Sequence, residues 1–124
     1  MALLCECYGK SVLEIKSVYS LRDQDLLTNV NNIDYLVEEN NALVLKKSHQ
    51  HYTQMQCQMA VTGIQRAYLC ISNGNGLPLI IEVIKDVGFW KGVEENVDIF
   101  YKMYLAPGLL RLTKTKYCAV NGEE

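Results

Sequence analysis

Two charged residues, Glu14 and Lys16, stand two positions apart in the run Val12-Leu13-Glu14-Ile15-Lys16. Apolar and charged residues alternate there, which is the period-two pattern of a β-strand with one buried face. The pattern predicts that Leu13 and Ile15 face a core and that Glu14 and Lys16 share the opposite face. A carboxylate and an amine held side by side on a strand can bind a divalent metal and steady a phosphate. A solvated strand face with one weak ion pair is the alternative interpretation.

A second polar set lies in the segment from Ser48 to about Gly63, which the sequence predicts to be a helix. Ser48 suits the N-cap position, and Gly63 stands where a glycine commonly ends a helix. Gln54 and Gln58 are four residues apart, so they line up along one face of that helix, beside an apolar face. Solvated glutamines on a surface helix are the alternative interpretation.

The strands that would position these residues are predicted from apolar runs and turn residues. Residues 3–7 and 12–17 form a predicted hairpin around Gly9-Lys10, whose glycine suits a two-residue turn. The run 66–72 is apolar and β-prone throughout, which is typical of a central strand. An Asn-Gly-Asn-Gly turn then joins it to a predicted antiparallel partner at 78–84.

The remaining segments carry weaker signals. Residues 19–34 are polar and irregular and are predicted to be a surface loop with one helical turn at 25–29. A second hairpin is predicted from 35–37 and 42–45, with a loose connection of four residues. A second helix is predicted from 87 to 105, and Pro107-Gly108 is expected to end it.

Composition narrows the class of protein. The chain has 124 residues, of which 49% are hydrophobic and 21% charged, so a single globular domain is expected. The element order predicts an α/β fold, an α+β mixed sheet with helices against its faces. A net charge of −2 counts against a passive DNA-binding module. Five cysteines, an odd count, predict free thiols rather than a disulfide framework. No apolar run is long enough to predict a transmembrane helix, and the first residues lack the pattern of a signal peptide, so an intracellular protein is expected.

Two segments, taken together, resemble one known family. Residues 12–23 resemble the E-x-K strand of the YqaJ-type viral recombinases, and residues 51–63 (HYTQMQCQMAVTG) resemble the glutamine helix of the same family. Phe89-Trp90 and the helix that ends near Pro107 are similar to its C-terminal segment. The similarity covers about residues 2–110. This family comprises lambda-type alkaline exonucleases within the PD-(D/E)xK nuclease superfamily.

The resemblance implies a restriction-endonuclease-like core and a metal-dependent phosphodiesterase that acts on the ends of linear duplex DNA. Glu14 would bind Mg²⁺ or Mn²⁺ together with the backbone carbonyl of Ile15. Lys16 would orient the attacking water or stabilise the charged transition state, and Gln54 would help to place Lys16 and the water. A homo-oligomer is implied by analogy with lambda-type enzymes. Oxygen ligands suit hard cations, and a positioned amine stabilises developing charge.

One departure from the family pattern stands out. The family carries an aspartate on the preceding strand, a place that falls at or before Met1 here, and the first aspartate of this chain is Asp23. We therefore expect a partial YqaJ-like domain over 1–112, lacking its N-terminal part, followed by a disordered tail over 113–124. Asp23 or Asp25 could fold back to supply the second carboxylate. A non-catalytic scaffold, or a DNA- or protein-interaction relic of the same fold, is the alternative function.

Overall fold

The computed structural model of the protein describes the backbone of residues 9–121 and the side chains of residues 9–116. The predicted strand at 3–7 and its pairing with 12–17 lie outside these described residues. The chain divides into two compact units, Met1–Asp86 and Val87–Glu124. The expected domain boundary at 112–113 therefore falls within the second unit and not between the two.

The described part of the first unit contains two sheets. Its strands are β1 (Val12–Ser17), β2 (Leu36–Glu39), β3 (Ala42–Leu45), β4 (Arg66–Ser72) and β5 (Leu79–Ile84). In the larger sheet the order is β1-β4-β5, with β1 parallel and β5 antiparallel to β4. This confirms the prediction that 66–72 is a central strand with an antiparallel partner after the glycine-rich turn. The fold is a mixed α+β fold.

The smaller sheet is a tight hairpin, not the loosely connected one that the sequence predicted. Strands β2 and β3 pair antiparallel as far as Glu39 and Ala42, so only Asn40 and Asn41 connect them. Both asparagines have positive φ, +52° and +61°, as a two-residue type I′ turn requires. Asparagine tolerates this left-handed backbone, which is why two consecutive asparagines make a short turn here.

Helix α1 (Gln50–Thr62) lies where the sequence predicted a helix, with a different first cap. The N-cap is His49 rather than Ser48, because Nδ1 of the His49 ring accepts a hydrogen bond from the backbone N–H of His51 at 3.1 Å. Gly63 ends the helix with a left-handed φ of +72°, as predicted. Side chains at helical spacing along α1 enter the core, and these are Tyr52, Met55 and Met59.

The two faces of β1 are the reverse of what alternation predicted. Glu14 is 7% exposed, whereas Ile15 is 50% exposed. Val12, Glu14 and Lys16 lie on the same face of β1, and amide side chains of α1 meet Glu14 and Lys16 there. Hydrogen bonds from these amides compensate for the burial of charge, so the charged face lies inward. The prediction that Leu13 and Ile15 face a core is therefore wrong for Ile15, while the prediction that Glu14 and Lys16 share one face is confirmed.

The connection from β1 to β2 is a packed loop with two short 3₁₀ turns, Tyr19–Leu21 and Val30–Asn32. The expected helical turn at 25–29 is a hydrogen-bonded turn in which Asp25 accepts from the backbone N–H of Thr28 at 3.0 Å. Leu21, Leu26 and Ile33 are buried. The loop is thus anchored from within by apolar side chains.

The second unit is one long helical stretch made of α2 (Val87–Phe100), a π turn (Tyr101–Leu105) and α3 (Ala106–Asn121). The prediction that Pro107 ends the helix is wrong. Proline lacks a backbone N–H and clashes with the carbonyl four residues earlier, and a π turn widens the backbone at that place. The N–H of Ala106 accordingly donates to the carbonyl of Tyr101, five residues back. The helix continues over 113–121, a segment expected to belong to a disordered tail.

The length and hydropathy of a helix decide whether it could cross a membrane. Among the residues that the structure describes, none of the helices combines the length and the apolar character needed to cross a bilayer. The polar cluster formed by β1 and α1 lies wholly within the first unit.

Candidate active site

The carboxylate of Glu14 is the centre of a polar cluster between β1 and α1. Its Oε1 accepts a hydrogen bond from Nε2 of Gln54 at 3.0 Å, and its Oε2 accepts one from Nε2 of Gln58 at 2.9 Å. The amine of Lys16 lies 3.0 Å from the same Oε1. One carboxylate is therefore contacted by two amides and one ammonium group.

Gln54 connects the two charged residues of the strand. Its Nε2 donates to Glu14, and its Oε1 accepts a hydrogen bond from the Lys16 amine at 3.0 Å. Each of the three side chains therefore contacts the other two. The structure brings together all three residues that the sequence singled out as catalytic.

The local structure explains why these residues meet. Alternate residues of a strand point to the same side, so Glu14 and Lys16 project together from β1 towards α1. Gln54 and Gln58 are one helical turn apart on α1 and present their amides along one line. Moving along β1 from residue 14 to residue 16 corresponds to moving back along α1 from Gln58 to Gln54. The strand and the helix thus run past each other in opposite directions.

The groups around Glu14 determine the protonation state of its carboxyl. Burial alone would raise the pKa of its carboxyl, but the hydrogen bonds from Gln58 and Lys16 and the positive charge of Lys16 lower the pKa to about 2. The group is therefore ionised at neutral pH. A buried, fixed, negatively charged oxygen beside a cationic amine is a site that can hold a cation and a phosphate group together.

Gln58 is the member of this cluster that sequence reasoning did not assign to the site. Its spacing of four residues from Gln54 was a usable signal, although the same spacing is common on solvated helix faces. While Nε2 of Gln58 contacts Glu14, its Oε1 is buried and has no hydrogen-bond partner within the described residues. An unpaired buried acceptor of this kind usually costs about 1–3 kcal/mol.

Gln56, which lies between Gln54 and Gln58 in α1, faces a different part of the molecule. It is fully buried, its Nε2 donates to the carbonyl of Ile84 at 2.9 Å, and its Oε1 accepts from the backbone N–H of Asp86 at 2.8 Å. Both ends of this amide are satisfied by backbone at the end of β5. Gln56 is therefore a structural residue, and the glutamines on either side of it belong to the site.

An aromatic cluster borders the site at the first turn of α1. The ring of His51 lies 4.8 Å from that of Tyr35 and 4.5 Å from that of His49, measured between centroids. Burial, the charge of Lys16 and the neighbouring His49 lower the pKa of His51, against weaker opposing effects of Glu14 and Asp34. His51 is therefore mainly neutral at pH 7, within electrostatic range of the site.

The donors available for a metal ion are few. No group of three or more histidine, cysteine, aspartate or glutamate side chains with metal-binding geometry occurs among the described residues. Asp25 is engaged with Thr28 in its own turn, and Asp23 pairs with Arg22 at 3.5 Å while remaining 85% exposed. Neither aspartate makes the contact with the site that the sequence allowed for. Glu14 and the Ile15 carbonyl supply the smallest number of protein ligands with which Mg²⁺ is usually bound. In such sites one carboxylate is supplemented by water and substrate phosphate.

No family model, curated protein or solved structure matches the chain. What the structure itself defines is a mixed β-sheet in an α+β fold, in which strand β1 carries an acid and a lysine beneath a glutamine-bearing helix. The assignment to the YqaJ-type family stays a prediction from the sequence.

Proposed function

We propose that the first unit is the core of a metal-dependent DNA exonuclease-type phosphodiesterase of the YqaJ-like, PD-(D/E)xK class. The observation that carries this proposal is the mutual contact of Glu14, Lys16 and Gln54. Gln54 lies 38 positions from Lys16 and 40 positions from Glu14 in the chain, and the fold brings all three side chains into hydrogen-bonding distance of one another. The acid, the lysine and the glutamine are the residue types that this chemistry needs.

Each residue has a role that its environment supports. Glu14, ionised and buried, is an oxygen ligand for Mg²⁺ or Mn²⁺, and the carbonyl of Ile15 is a second. A bound divalent cation would supply an acidified water and neutralise phosphate oxygens. Lys16 carries a positive charge 3.0 Å from the carboxylate, where it can stabilise negative charge on a phosphoryl group. Gln54 fixes Lys16 because its Oε1 accepts a hydrogen bond from the Lys16 amine.

The single carboxylate sets a condition on this proposal. Mg²⁺ usually retains several waters and uses one or two carboxylates together with substrate phosphates. With one carboxylate in the described cluster, cation binding should depend strongly on the presence of DNA. The substrate we propose is the end of linear duplex DNA, and assembly of several copies would follow the lambda-type precedent only by analogy.

A cleavage assay tests the proposal. Linear duplex DNA is incubated with the full chain and Mg²⁺ or Mn²⁺, and the release of nucleotides is compared with that by Lys16→Ala. We expect hydrolysis that requires the cation and that falls by about 100-fold or more in the variant. Lys10→Ala, which removes an exposed lysine just before β1, is the matched control and should retain activity. Equal hydrolysis by Lys16→Ala would overturn the proposal.

One observation favours a second candidate function, that of a non-catalytic interaction domain. Glu14 is already held by three donors, and a network of this kind also serves to keep a strand and a helix together. Calorimetric titration separates the candidates. Binding of neither Mg²⁺ nor Mn²⁺, with or without DNA ends, together with no hydrolysis, would favour the interaction domain.

A further inference from the structure

The side-chain oxygen Oε1 of Gln58 is a buried hydrogen-bond acceptor without a partner among the described residues. The nitrogen of the same amide is 2.9 Å from Oε2 of Glu14. The covalent geometry of an amide then places the orphaned oxygen no more than about 5.5 Å from that carboxylate oxygen. An acceptor and an anion thus lie close together inside the site.

Rotating the amide cannot relieve this situation. A carboxylate is only an acceptor, so turning the amide by half a turn would set two acceptors against each other and lose the bond to Glu14. The salt bridge to Lys16 favours the ionised carboxylate and therefore keeps the amide as it is. The position of the Gln58 oxygen is fixed by its own nitrogen.

Gln56 shows that this pattern is not general to the glutamines of α1. Both polar atoms of the Gln56 amide are paired, with the carbonyl of Ile84 and with the N–H of Asp86. Buried polar atoms in folded proteins are nearly always paired, and an exception needs an explanation. A donor that is also attracted to a neighbouring carboxylate would provide one, and the water ligand of a cation has both properties.

We propose that Gln58 is a positioning residue of the Glu14 site whose carbonyl accepts a hydrogen bond from a water ligand of a divalent cation held by Glu14. The donor half of the amide orients the carboxylate, and the acceptor half orients the cation's water. This inference rests on the part of the proposed function that gives Glu14 a cation. It adds a specific contact, which outer-shell residues of metal sites typically supply.

Two substitutions at this position should act in opposite directions. Gln58→Met removes the donor and the acceptor, and we expect it to weaken Mn²⁺ binding by about 10- to 100-fold. Gln58→Glu replaces the carbonyl by a carboxylate that attracts a hydrated cation, and we expect tighter binding than in the natural chain. Gln65→Met, at an exposed glutamine just beyond α1, is the matched control and should change nothing.

The measurement is nuclear magnetic resonance of the full chain during titration with Mn²⁺ and, separately, Mg²⁺, with and without a short DNA duplex. Broadening by Mn²⁺ reports binding at Glu14, even when it is weak. In the natural chain, Mg²⁺ should shift the side-chain amide signals of Gln58 and leave those of Gln56 unchanged. This second reading does not depend on whether a variant folds.

The outcomes are distinct. If the natural chain binds Mn²⁺ at Glu14 and both Gln58 variants bind it equally well, the role of Gln58 is overturned while the proposed function stands. If Mg²⁺ leaves the Gln58 amide signals unmoved, the inference is likewise overturned. If the natural chain binds neither cation under any of these conditions, the cation site itself is overturned, and the inference with it.

Discussion

Two clusters of buried polar groups flank the same helix, and they are built differently. On one side of α1, Gln54 and Gln58 contact the charged side chains of Glu14 and Lys16. On the other side, Gln56 contacts only backbone groups at the end of β5. The first cluster pairs side chains with side chains, whereas the second pairs one side chain with backbone groups.

The number of paired polar atoms separates a structural glutamine from a candidate site glutamine in the same helix. Gln56 has both of its polar atoms paired and is 0% exposed, so its contribution is to stability. Gln58 pairs one polar atom and leaves the other without a partner within the described residues. A fold gains nothing from an unpaired buried acceptor, and a binding site can use one.

The largest effect should come from breaking the structural cluster. Gln56→Met keeps the volume of the side chain but removes the hydrogen bonds that the amide makes with the carbonyl of Ile84 and the N–H of Asp86. We expect the free energy of unfolding to fall by roughly 4 kcal/mol, since each unsatisfied group costs about 1–3 kcal/mol. Denaturant unfolding measures it. Gln58→Met is the matched substitution two residues away and should cost clearly less, and an equal loss would contradict the distinction.

The second effect is a loss of stability in acid that depends on Glu14. Because the pKa of its carboxyl is about 2 in the folded state against 4.5 ordinarily, the unfolded chain takes up the proton first as pH falls. The stabilisation is complete above pH 4.5 and is lost on going down to about pH 2. It amounts to about 3 kcal/mol.

Unfolding curves at a series of pH values, compared between the natural chain and Glu14→Gln, measure this contribution. The variant should lack that portion of the acid dependence. Glu38→Gln removes an exposed acid of β2 and serves as the control, with an acid dependence close to that of the natural chain. Parallel curves for the natural chain and Glu14→Gln would show that the carboxylate is not held as described.

A third effect tests the pairing of the strand's two charges. Lys16→Met removes the ammonium 3.0 Å from Glu14, so a nearly buried carboxylate loses a cationic partner and keeps its amide donors. We expect a loss of about 2 kcal/mol, below the cost of breaking a fully buried pair because the lysine side chain is 24% exposed. The pKa of Glu14, followed by carbon-13 resonance, should rise in the variant. An unchanged pKa would mean that the ammonium of Lys16 does not stabilise the charge of Glu14.

Much of the fold could be predicted because its signals are local. The apolar run at 66–72, the glycine-rich turn and Gly63 each specify one feature without reference to the rest of the chain. The prediction that Pro107 ends the helix is wrong because it considers the proline alone. A π turn just before Pro107 removes the clash, so the helix continues. A rule about one residue fails when the neighbouring backbone can adjust.

The site shows where local patterns stop being informative. Glu14, Lys16 and Gln54 could be singled out by type and spacing, together with the resemblance of their two segments to one family. Which face of β1 is buried could not be predicted, because that depends on the helix that arrives some 40 positions later. Alternation reports that the faces differ, and only the polar partner from α1 decides that the charged face turns inward.

The smallest effect concerns His51, at the edge of the charged cluster. Its ring makes edge-to-face contacts with Tyr35 and His49, and the burial of the ring and the charge of Lys16 lower its pKa. Because the folded state binds this proton less readily than the unfolded chain, stability is complete above pH 6.5 and decreases as pH falls below it. His51→Phe keeps an aromatic ring and removes the titration.

The variant should therefore lose less stability than the natural chain between about pH 6.5 and pH 5, by less than about 1 kcal/mol, since solvent reaches the half-buried ring. Denaturant midpoints over this range provide the measurement. Adding Lys16→Met to the natural chain should shrink the His51 contribution, because one cause of the lowered pKa disappears with the ammonium. If the two substitutions are additive instead, His51 is insulated from the charged cluster, and the boundary of the site lies between Gln54 and the first turn of α1.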